Sequence, residues 1–340
     1  MKMWKMLAAV GVMACLMLAG CGNGGQTDSK HVKKLKIAIS PYQDADTMMK
    51  TATEPLGKMI QDKMKEKGYT IDKVTMNVGT SYGAVGEALS SGSADMGFIS
   101  GATYVTYDQD VDVLLTALRQ GIDKDTEDVA VWNDGSKEAF TNNLVTYYRS
   151  AIVVGPSPKG QAVLQKVKQG QQPTWEELND LTWAVMSPAS ASGYLYPSLY
   201  LKEHYGKKIS DLAHVVQSDS YTTSTARLAS GQVDVLVAYS HIRAHMADKW
   251  QSVFGGTGDI WSQTGVIGVT GKIYNDTVSV SKTSQVMQDE GFRKALGESL
   301  IEIGKTEEGL KVLKTLGHKG YDWAKSEDYD GERAVQKELK

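Results

Sequence analysis

The chain has 340 residues, of which 41% are hydrophobic and 23% charged, and it carries a formal net charge of −3 at pH 7. Such a composition is ordinary for a soluble globular protein, and the length suffices for two domains with separate cores. The slight negative charge lacks the basic excess that nucleic-acid binding requires, so we expect no nucleic acid among the partners.

The N-terminus predicts an export signal with a lipid anchor. Lys2 and Lys5 precede an apolar run at residues 6–19, which is too short for a comfortable membrane span. The run ends in LAGC (residues 18–21), which resembles the lipobox of bacterial lipoproteins and implies thioether lipidation of Cys21. The alternative is a simple signal peptide with an incidental cysteine.

We therefore expect a signal peptide at 1–20 and a lipidated polar tether at 21–31. The protein would be anchored by lipid on the outer face of the bacterial cytoplasmic membrane or in the periplasm. Cys15 leaves with the signal and lipid occupies Cys21, so the exported protein is expected to contain no disulfide.

Beyond residue 32, short apolar runs alternate with segments of helical spacing, and this alternation predicts a mainly parallel α/β sheet. The pattern restarts after residue 151, which indicates a second unit of the same kind. The predicted strands are 35–40, 74–78, 96–99, 111–118, 144–154, 182–186 and 266–270, and the predicted helices are 53–67, 194–205, 285–304 and 307–340.

An internal repeat supports two units. Residues 81–100 (SYGAVGEALSSGSADMGFIS) recur in outline as residues 220–239 (SYTTSTARLASGQVDVLVAY), with six identical positions. Each copy predicts a hydroxyl-rich turn, a helix, a glycine stop and a buried strand that opens on aspartate. Turn chemistry or helix capping is the simpler explanation in both copies and the one we favour for Asp95, whereas a ligand role stays open for Asp234.

Two similar units indicate two lobes with a cleft between them. We place lobe one at 32–148 plus 241–340 and lobe two at 151–238. The chain would cross between the lobes near 148–154 and again near residue 239, and two short crossings make a hinge that suits closure around a ligand.

The sequence contains no hydrolase elbow, Walker loop, HExxH or CxxC motif. His241 and His245 stand four residues apart, on one face if the segment is helical, but such a lone pair is more typical of surface or packing residues than of zinc. We therefore expect neither a metal nor a cofactor.

Hydroxyl groups concentrate at the junctions between predicted strands and helices. The segment SPASASG (residues 187–193) follows a strand and opens a helix, where serine hydroxyls and backbone N–H groups attract an anion. Plain N-capping by Ser190 or Ser192 explains the same pattern equally well.

Five tyrosines share these junctions, at the carboxyl ends of strands where open α/β sheets bind ligands. Arg149 is the only cation that we find beside a junction, and strand alternation places it on the opposite face from its neighbours. The pattern predicts an anion pocket built mainly from neutral donors. The five tyrosines are Tyr82, Tyr104, Tyr148, Tyr194 and Tyr221.

Taken together, these motifs resemble the phosphate, phosphite and phosphonate substrate-binding proteins of ABC transporters. The resemblance covers nearly the whole chain after the signal and implies an α/β fold of the type II periplasmic-binding-protein class, with two lobes, a central cleft and two hinge crossings. The matching motifs are Tyr82 with the GSAD of 92–95, the GATYV of 101–105, the YYRS of 147–150, the SASGY of 190–194 and the GQVD of 231–234.

The resemblance implies a ligand site shared by both lobes. Tyr82 and Tyr104 would offer hydroxyls from lobe one, while residues 190–192 would grip the phosphonyl oxygens from lobe two. Ala191 stands where relatives usually carry threonine, which removes a hydroxyl but keeps the N–H. The predicted ligand set is Tyr82, Tyr104, Tyr148, Ser190, Ala191, Ser192, Tyr221, Thr222 and Asp234.

One departure from the family bears on the ligand. The His–acid pair of relatives falls on Tyr221 and Thr222 here, and Thr222 cannot pair with a ligand ammonium group. The sequence therefore favours phosphite, methylphosphonate or phosphate over an aminoalkylphosphonate.

The sequence predicts a monomeric, lipid-anchored component of an ABC importer, which delivers its anion to a permease and the associated ATPase. We expect no catalysis, since a hydroxyl-only cluster has no visible general base. Three alternatives stay open: the same fold binding a sulfonate or another small anion, a secreted phosphatase or phosphonatase, and a sensory or adhesion lipoprotein.

Overall fold

A computed structural model describes residues 30–41, 48–49, 53–188 and 190–339. The predicted signal peptide, most of the predicted tether and Cys21 lie outside these ranges. Within them, no helix has both the length and the apolar character needed to cross a membrane.

The regular elements alternate along the chain much as the apolar pattern predicts, except in the predicted helix at 307–340. That segment is divided into two helices, Glu307–Leu313 and Asp330–Leu339, with the strand Tyr321–Trp323 between them. The strands are β1 (His31–Ile39), β2 (Thr70–Val78), β3 (Met96–Ile99), β4 (Val111–Ala117), β5 (Arg119–Ile122), β6 (Phe140–Val145), β7 (Tyr147–Tyr148), β8 (Ser150–Val154), β9 (Trp183–Val185), β10 (Val215–Gln217), β11 (Val235–Tyr239), β12 (Gly265–Val269), β13 (Ile273–Tyr274), β14 (Thr277–Ser281) and β15 (Tyr321–Trp323). The α-helices are α1 (Glu54–Glu66), α2 (Tyr82–Ser90), α3 (Gly101–Thr106), α4 (Val129–Trp132), α5 (Pro158–Lys168), α6 (Trp175–Asn179), α7 (Tyr196–Tyr205), α8 (Tyr221–Ala229), α9 (Ile242–Trp250), α10 (Ile260–Gln263), α11 (Glu290–Ile303), α12 (Glu307–Leu313) and α13 (Asp330–Leu339).

Lobe one is built on a six-stranded sheet with the order β15-β4-β14-β3-β1-β2. The buried stretch of β1 that contains Leu35, Ile37 and Ile39 forms part of its apolar core. Leu56 and Ile60 of α1 and Leu296 of α11 belong to the same core.

Lobe two is built on a five-stranded sheet with the order β10-β9-β11-β8-β12. Separate apolar cores lie against it. One contains Trp183, Val235 and Leu201, and the other contains Trp132, Trp250 and Val266. The two lobes therefore have independent interiors, as expected for separate folding units.

Both sheets are mixed, whereas the sequence predicted a mainly parallel arrangement. β1 pairs in parallel with β2 and β3, and β9 pairs in parallel with β10 and β11. β8 runs antiparallel to β11 and β12, and β14 runs antiparallel to β3 and β4. The reason is topological: β8 and β14 directly follow the segments that link the two lobes, so each enters its sheet from the end where its neighbours finish.

The predicted lobe boundaries need correction at two places. β12 pairs with β8 in lobe two, so the chain returns after Val269 rather than near residue 239. Trp132 of α4 packs in the core of lobe two although its segment was assigned to lobe one. The crossing strands β7 and β13 pair with each other, Tyr148 opposite Ile273, and form a short two-stranded hinge.

The internal repeat is a structural repeat. Ser81 caps α2 by accepting a hydrogen bond from the N–H of Ala84 at 3.1 Å, and Ser220 caps α8 through Thr223 at the same distance. Each helix ends at a glycine with positive φ, Gly92 at 73° in the first copy and Gly231 at 70° in the second. Each copy thus places a helix start and a strand end at the same edge of its sheet.

Candidate functional site

A cleft of about 1060 Å³ lies between the lobes, and side chains from both sheets line it. The lining residues follow the carboxyl ends of strands, which is where open α/β sheets bind ligands. From lobe one they include Tyr82, Ser100, Thr103 and Arg119, and from lobe two Ser190, Ser192, Tyr221, Tyr239 and His241.

A cradle of hydroxyl groups, formed by Ser190, Ser192 and Tyr221, occupies the lobe-two wall. The Tyr221 hydroxyl lies 2.9 Å from the Ser192 Oγ and 3.3 Å from the Ser190 Oγ. The N–H of Gly193 donates to the Ser190 Oγ at 3.2 Å, so the predicted capping role and the cleft position occur together. A Cβ on Gly193 would lie 2.4 Å from the Cγ of Met186, so the tight turn into α7 requires glycine.

Ser150 holds the cradle against the sheet, a role the sequence analysis missed. It is fully buried, and its Oγ lies 2.6 Å from the carbonyl oxygen of Ser192 and 3.0 Å from that of Ala238 in β11. The turn that carries Ser192 is thereby tied to a central strand. A serine in an otherwise apolar strand is the only signal the sequence offers for this contact.

The other predicted residues divide into two groups. Tyr82, Tyr148, Ala191 and Thr222 line the cleft beside the cradle. Tyr82 belongs to lobe one and is exposed. Burial raises the pKa of Tyr148, so its phenol stays neutral.

Tyr104 and Asp234 lie outside the cleft, contrary to the predicted ligand set. Tyr104 is 2% exposed, and its hydroxyl donates to the Ser326 Oγ at 3.0 Å. The Asp234 carboxylate accepts the N–H of Thr182 at 2.8 Å at the start of β11, whereas the cleft meets the end of that strand. Asp95 makes the equivalent contact with the N–H of Lys36 at 2.7 Å, so each aspartate ties the start of its strand to the backbone of the neighbouring strand, rather than forming the local turn that the sequence predicted.

The cleft also contains an ion pair that the sequence did not predict. Arg119 Nη2 donates to Asp276 Oδ2 at 2.6 Å, and the guanidinium carbon lies 5.7 Å from the ring centre of Tyr148. Burial opposes the ionisation of Asp276, but the charge of Arg119 and the nearby His318 lower its pKa below the usual value. Arg119 directly follows a predicted strand, so the same junction rule could have found it.

Arg149 faces away from the cleft, as strand alternation predicts. It pairs with Asp125 at 2.7 Å and with Glu127 at 2.8 Å. Its charge is therefore already matched by carboxylates on the far side of Tyr148.

Next to the cradle, rings form what we call the aromatic wall: Tyr221, Tyr239, His241 and His245. The ring centres of Tyr221 and Tyr239 are 4.9 Å apart, and those of Tyr239 and His241 are 4.5 Å apart. Tyr239 Oη lies 2.8 Å from Nδ1 of His245. Burial and the charge of Arg119 lower the pKa of His241 to about 3. The described residues contain no group of three or more histidine, cysteine, aspartate or glutamate side chains suited to a metal.

Residues 37–329 match the family described as the periplasmic substrate-binding protein of a phosphonate ABC transporter. The chain belongs to this family. The match includes every predicted ligand residue and both strands of the hinge.

Solved structures with family functions share the fold. PhnD1 of Prochlorococcus marinus, in complex with methylphosphonate, is 17% identical, with coverage of 90% of this chain and 98% of that chain and a TM-score of 0.57. A binding protein component of an ABC phosphonate transporter from Pseudomonas aeruginosa is 15% identical, with coverage of 90% and 86% and a TM-score of 0.55. The predicted α/β fold of the type II periplasmic-binding-protein class is thereby confirmed.

A curated relative matches part of the chain. It is an ABC transporter periplasmic binding protein of Brachyspira hyodysenteriae, 32% identical over 104 residues. The match covers 30% of this chain and 27% of that relative.

Proposed function

We propose that the protein is the extracytoplasmic, lipid-anchored binding component of an ABC importer. It captures a phosphorus oxyanion or a small phosphonate in the cleft and delivers it to a permease and its ATPase. The observation that carries this proposal is the hydroxyl cradle, in which Ser190, Ser192 and Tyr221 converge at the start of a helical turn. The methylphosphonate complex of PhnD1, which has the same fold, supports the ligand class.

Neutral donors suit a carrier that must release its ligand. Hydroxyl and N–H groups can satisfy the oxygens of an anion without a permanent countercharge, and each such bond contributes modestly to affinity. The cation in the cleft, Arg119, is held by Asp276 at 2.6 Å, so this pair adds little net charge to the site.

The same pair bears on the choice of substituent. A ligand ammonium group needs a carboxylate shielded from water, and of the two that line the cleft, Asp276 is already engaged by Arg119 and Asp219 is exposed to solvent. Thr222, which lines the cleft, has no charge to offer. Phosphite, methylphosphonate and phosphate are therefore the ligands we favour over aminoethylphosphonate.

Titration calorimetry on the full-length protein in detergent tests this proposal. The panel is phosphite, methylphosphonate, phosphate, 2-aminoethylphosphonate and methanesulfonate. We expect at least one of the first three to bind at least tenfold more tightly than 2-aminoethylphosphonate, with methanesulfonate weaker than all of them. Tighter binding of methanesulfonate would favour the sulfonate alternative, and a tenfold preference for the amine would refute the substituent argument.

The proposed action makes and breaks no bonds. The Ser192 Oγ lies 2.9 Å from the hydroxyl of Tyr221, and a phenol is a poor general base near neutral pH. Phosphorus NMR of methylphosphonate after prolonged incubation with the protein is expected to show unchanged ligand, and release of phosphate would revive the phosphonatase alternative.

A further inference from the structure

The aromatic wall begins where the hydroxyl cradle ends. Tyr221 belongs to both, because its hydroxyl reaches Ser190 and Ser192 while its ring packs against Tyr239. A ligand whose phosphonyl oxygens occupy the cradle would therefore direct its substituent along the rings of the wall.

The wall is long enough to meet more than a methyl group. From Tyr239 it continues to His241, whose ring in turn meets that of Phe140 at 5.6 Å. On the other side, Tyr239 holds the imidazole of His245 through the 2.8 Å contact. The cleft volume of about 1060 Å³ lies at the upper end of the range in which drug-sized ligands bind.

Charge along the wall favours an uncharged substituent. Burial and Arg119 keep His241 in its neutral form. Arg119 and Asp276 neutralise each other, and Asp219, the remaining charged residue among those lining the cleft, is exposed to solvent. Planar rings gain contact energy from offset or edge-on packing with tyrosine and imidazole, whereas an ammonium group would lose hydration without a dedicated carboxylate.

We propose that Tyr239, His241 and His245 form a substituent subsite that selects phosphonates carrying an uncharged planar group, such as an aryl phosphonate. The inference rests on the proposed function, since the phosphonyl group must occupy the cradle for its substituent to reach the wall. It extends the ligand class beyond the small anions named above.

Calorimetry with methylphosphonate and phenylphosphonate on the full-length protein tests the subsite. We expect phenylphosphonate to bind about fivefold more tightly than methylphosphonate, the gain typical of one favourable ring pair. His241→Ala and Tyr239→Ala should each bring the ratio of the phenylphosphonate and methylphosphonate affinities to about one, whatever their effect on methylphosphonate binding itself. His204→Ala is the matched control, because His204 stacks on Tyr200 at 4.0 Å and is not among the residues lining the cleft.

The outcomes separate the two proposals. If phosphite, phosphate and both phosphonates all fail to bind, the proposed function is wrong. If phosphite or phosphate binds and neither phosphonate does, the subsite alone is wrong. If methylphosphonate binds and phenylphosphonate binds no more tightly, or if the preference survives in both alanine variants, the subsite alone is wrong. Thermal unfolding identifies any variant that fails to fold. His245→Ala removes an exposed side chain and provides a third variant, which should reduce the preference.

Discussion

Individual hydroxyl groups decide whether the cradle can hold an anion. The Tyr221 hydroxyl lies within hydrogen-bond distance of Ser190 and Ser192, whereas the Tyr104 hydroxyl donates a hydrogen bond to Ser326 outside the cleft. Replacing each tyrosine by phenylalanine therefore removes the same hydroxyl group from two different environments.

Tyr221→Phe should weaken methylphosphonate binding by about 1–3 kcal/mol, since a polar group that meets a charged oxygen is removed. Tyr104→Phe should leave that affinity unchanged and lower the free energy of unfolding by about 1 kcal/mol. Calorimetry and denaturant unfolding measure the two effects. Equal losses of affinity in both variants would show that the cleft is not the binding site.

The sequence predicted that the three cradle residues and Tyr82 lie at the cleft for a simple reason. Residues that follow a strand at its carboxyl end must lie near the cleft, so Tyr82, Ser190 and Tyr221 were within reach of a junction rule. The same rule does not place Tyr104 correctly, because this residue lies on the short helix α3, where successive side chains point about 100° apart around the helix axis. Thr103 and Thr106 face the cleft, and Tyr104 faces the core.

At the scale of single elements, helix limits were read accurately where capping signals are local. The predicted helix at 53–67 is observed as Glu54–Glu66, ended by residues that lead to the positive-φ Gly68. The sequence did not predict the π-helical turn Ala191–Leu195 before α7, in which the carbonyl oxygen of Ser192 accepts a hydrogen bond from Ser150 of β8. The local sequence shows Ser192 but not its partner Ser150, which lies 42 positions earlier in the chain.

α13 carries a buried carboxyl group with an unusual titration. Glu332 is 4% exposed, its Oε1 is buried with no hydrogen-bond partner in the described structure, and burial raises its pKa to about 7 against a moderating hydrogen bond from Tyr196 of α7. The neighbouring Arg333 is directed to Asp108 at 2.8 Å and to Asp330 at 2.8 Å. The Glu332 carboxyl group is therefore mainly protonated below about pH 7, where an exposed glutamate would already be ionised from about pH 4.5 upwards.

A raised pKa in the folded state means that the folded protein binds this proton more tightly than the unfolded chain does. Its stabilising effect is complete below about pH 4.5 and is lost as the pH rises through about 7. We expect Glu332→Gln to remove this loss, at most roughly 3 kcal/mol, because glutamine keeps the hydrogen bond to Tyr196 without ionising. Urea unfolding of both proteins from pH 5 to pH 8 measures the difference. Parallel pH profiles would contradict the assignment.

At the scale of the whole molecule, the sequence predicted two lobes but misjudged where the second crossing occurs. The second copy of the repeat, residues 220–239, ends with β11. The sequence therefore predicted that the chain leaves lobe two at the end of that copy, near residue 239. β12 cannot be assigned from local pattern, because an apolar strand pairs equally well with either sheet and only the partner β8 decides. Long-range pairing of this kind is absent from composition and spacing.

α13 joins the lobes a third time. Gln336 donates to the carbonyl oxygen of Ala102 in lobe one at 2.9 Å, and Lys202 of lobe two pairs with Glu338 at 2.8 Å. Val335 is fully buried between these contacts, in a cluster with Tyr196 and Ile273 of the hinge. The helix also lines the cleft through Gln336 and Leu339, so the contacts that fix it bear on the ligand site.

Val335→Ala should lower the free energy of unfolding by roughly 2 kcal/mol, because the removed methyl groups leave a cavity where the helix meets the hinge. It should also weaken methylphosphonate binding, since the relative position of the two cleft walls depends on the same packing. Lys202→Ala is the control on the same helix contact, and an exposed pair of this kind contributes only about 0–1 kcal/mol. Denaturant unfolding with calorimetry on each variant gives both quantities. A Val335→Ala protein that is destabilised but binds with full affinity would show that α13 supports the fold without setting the cleft.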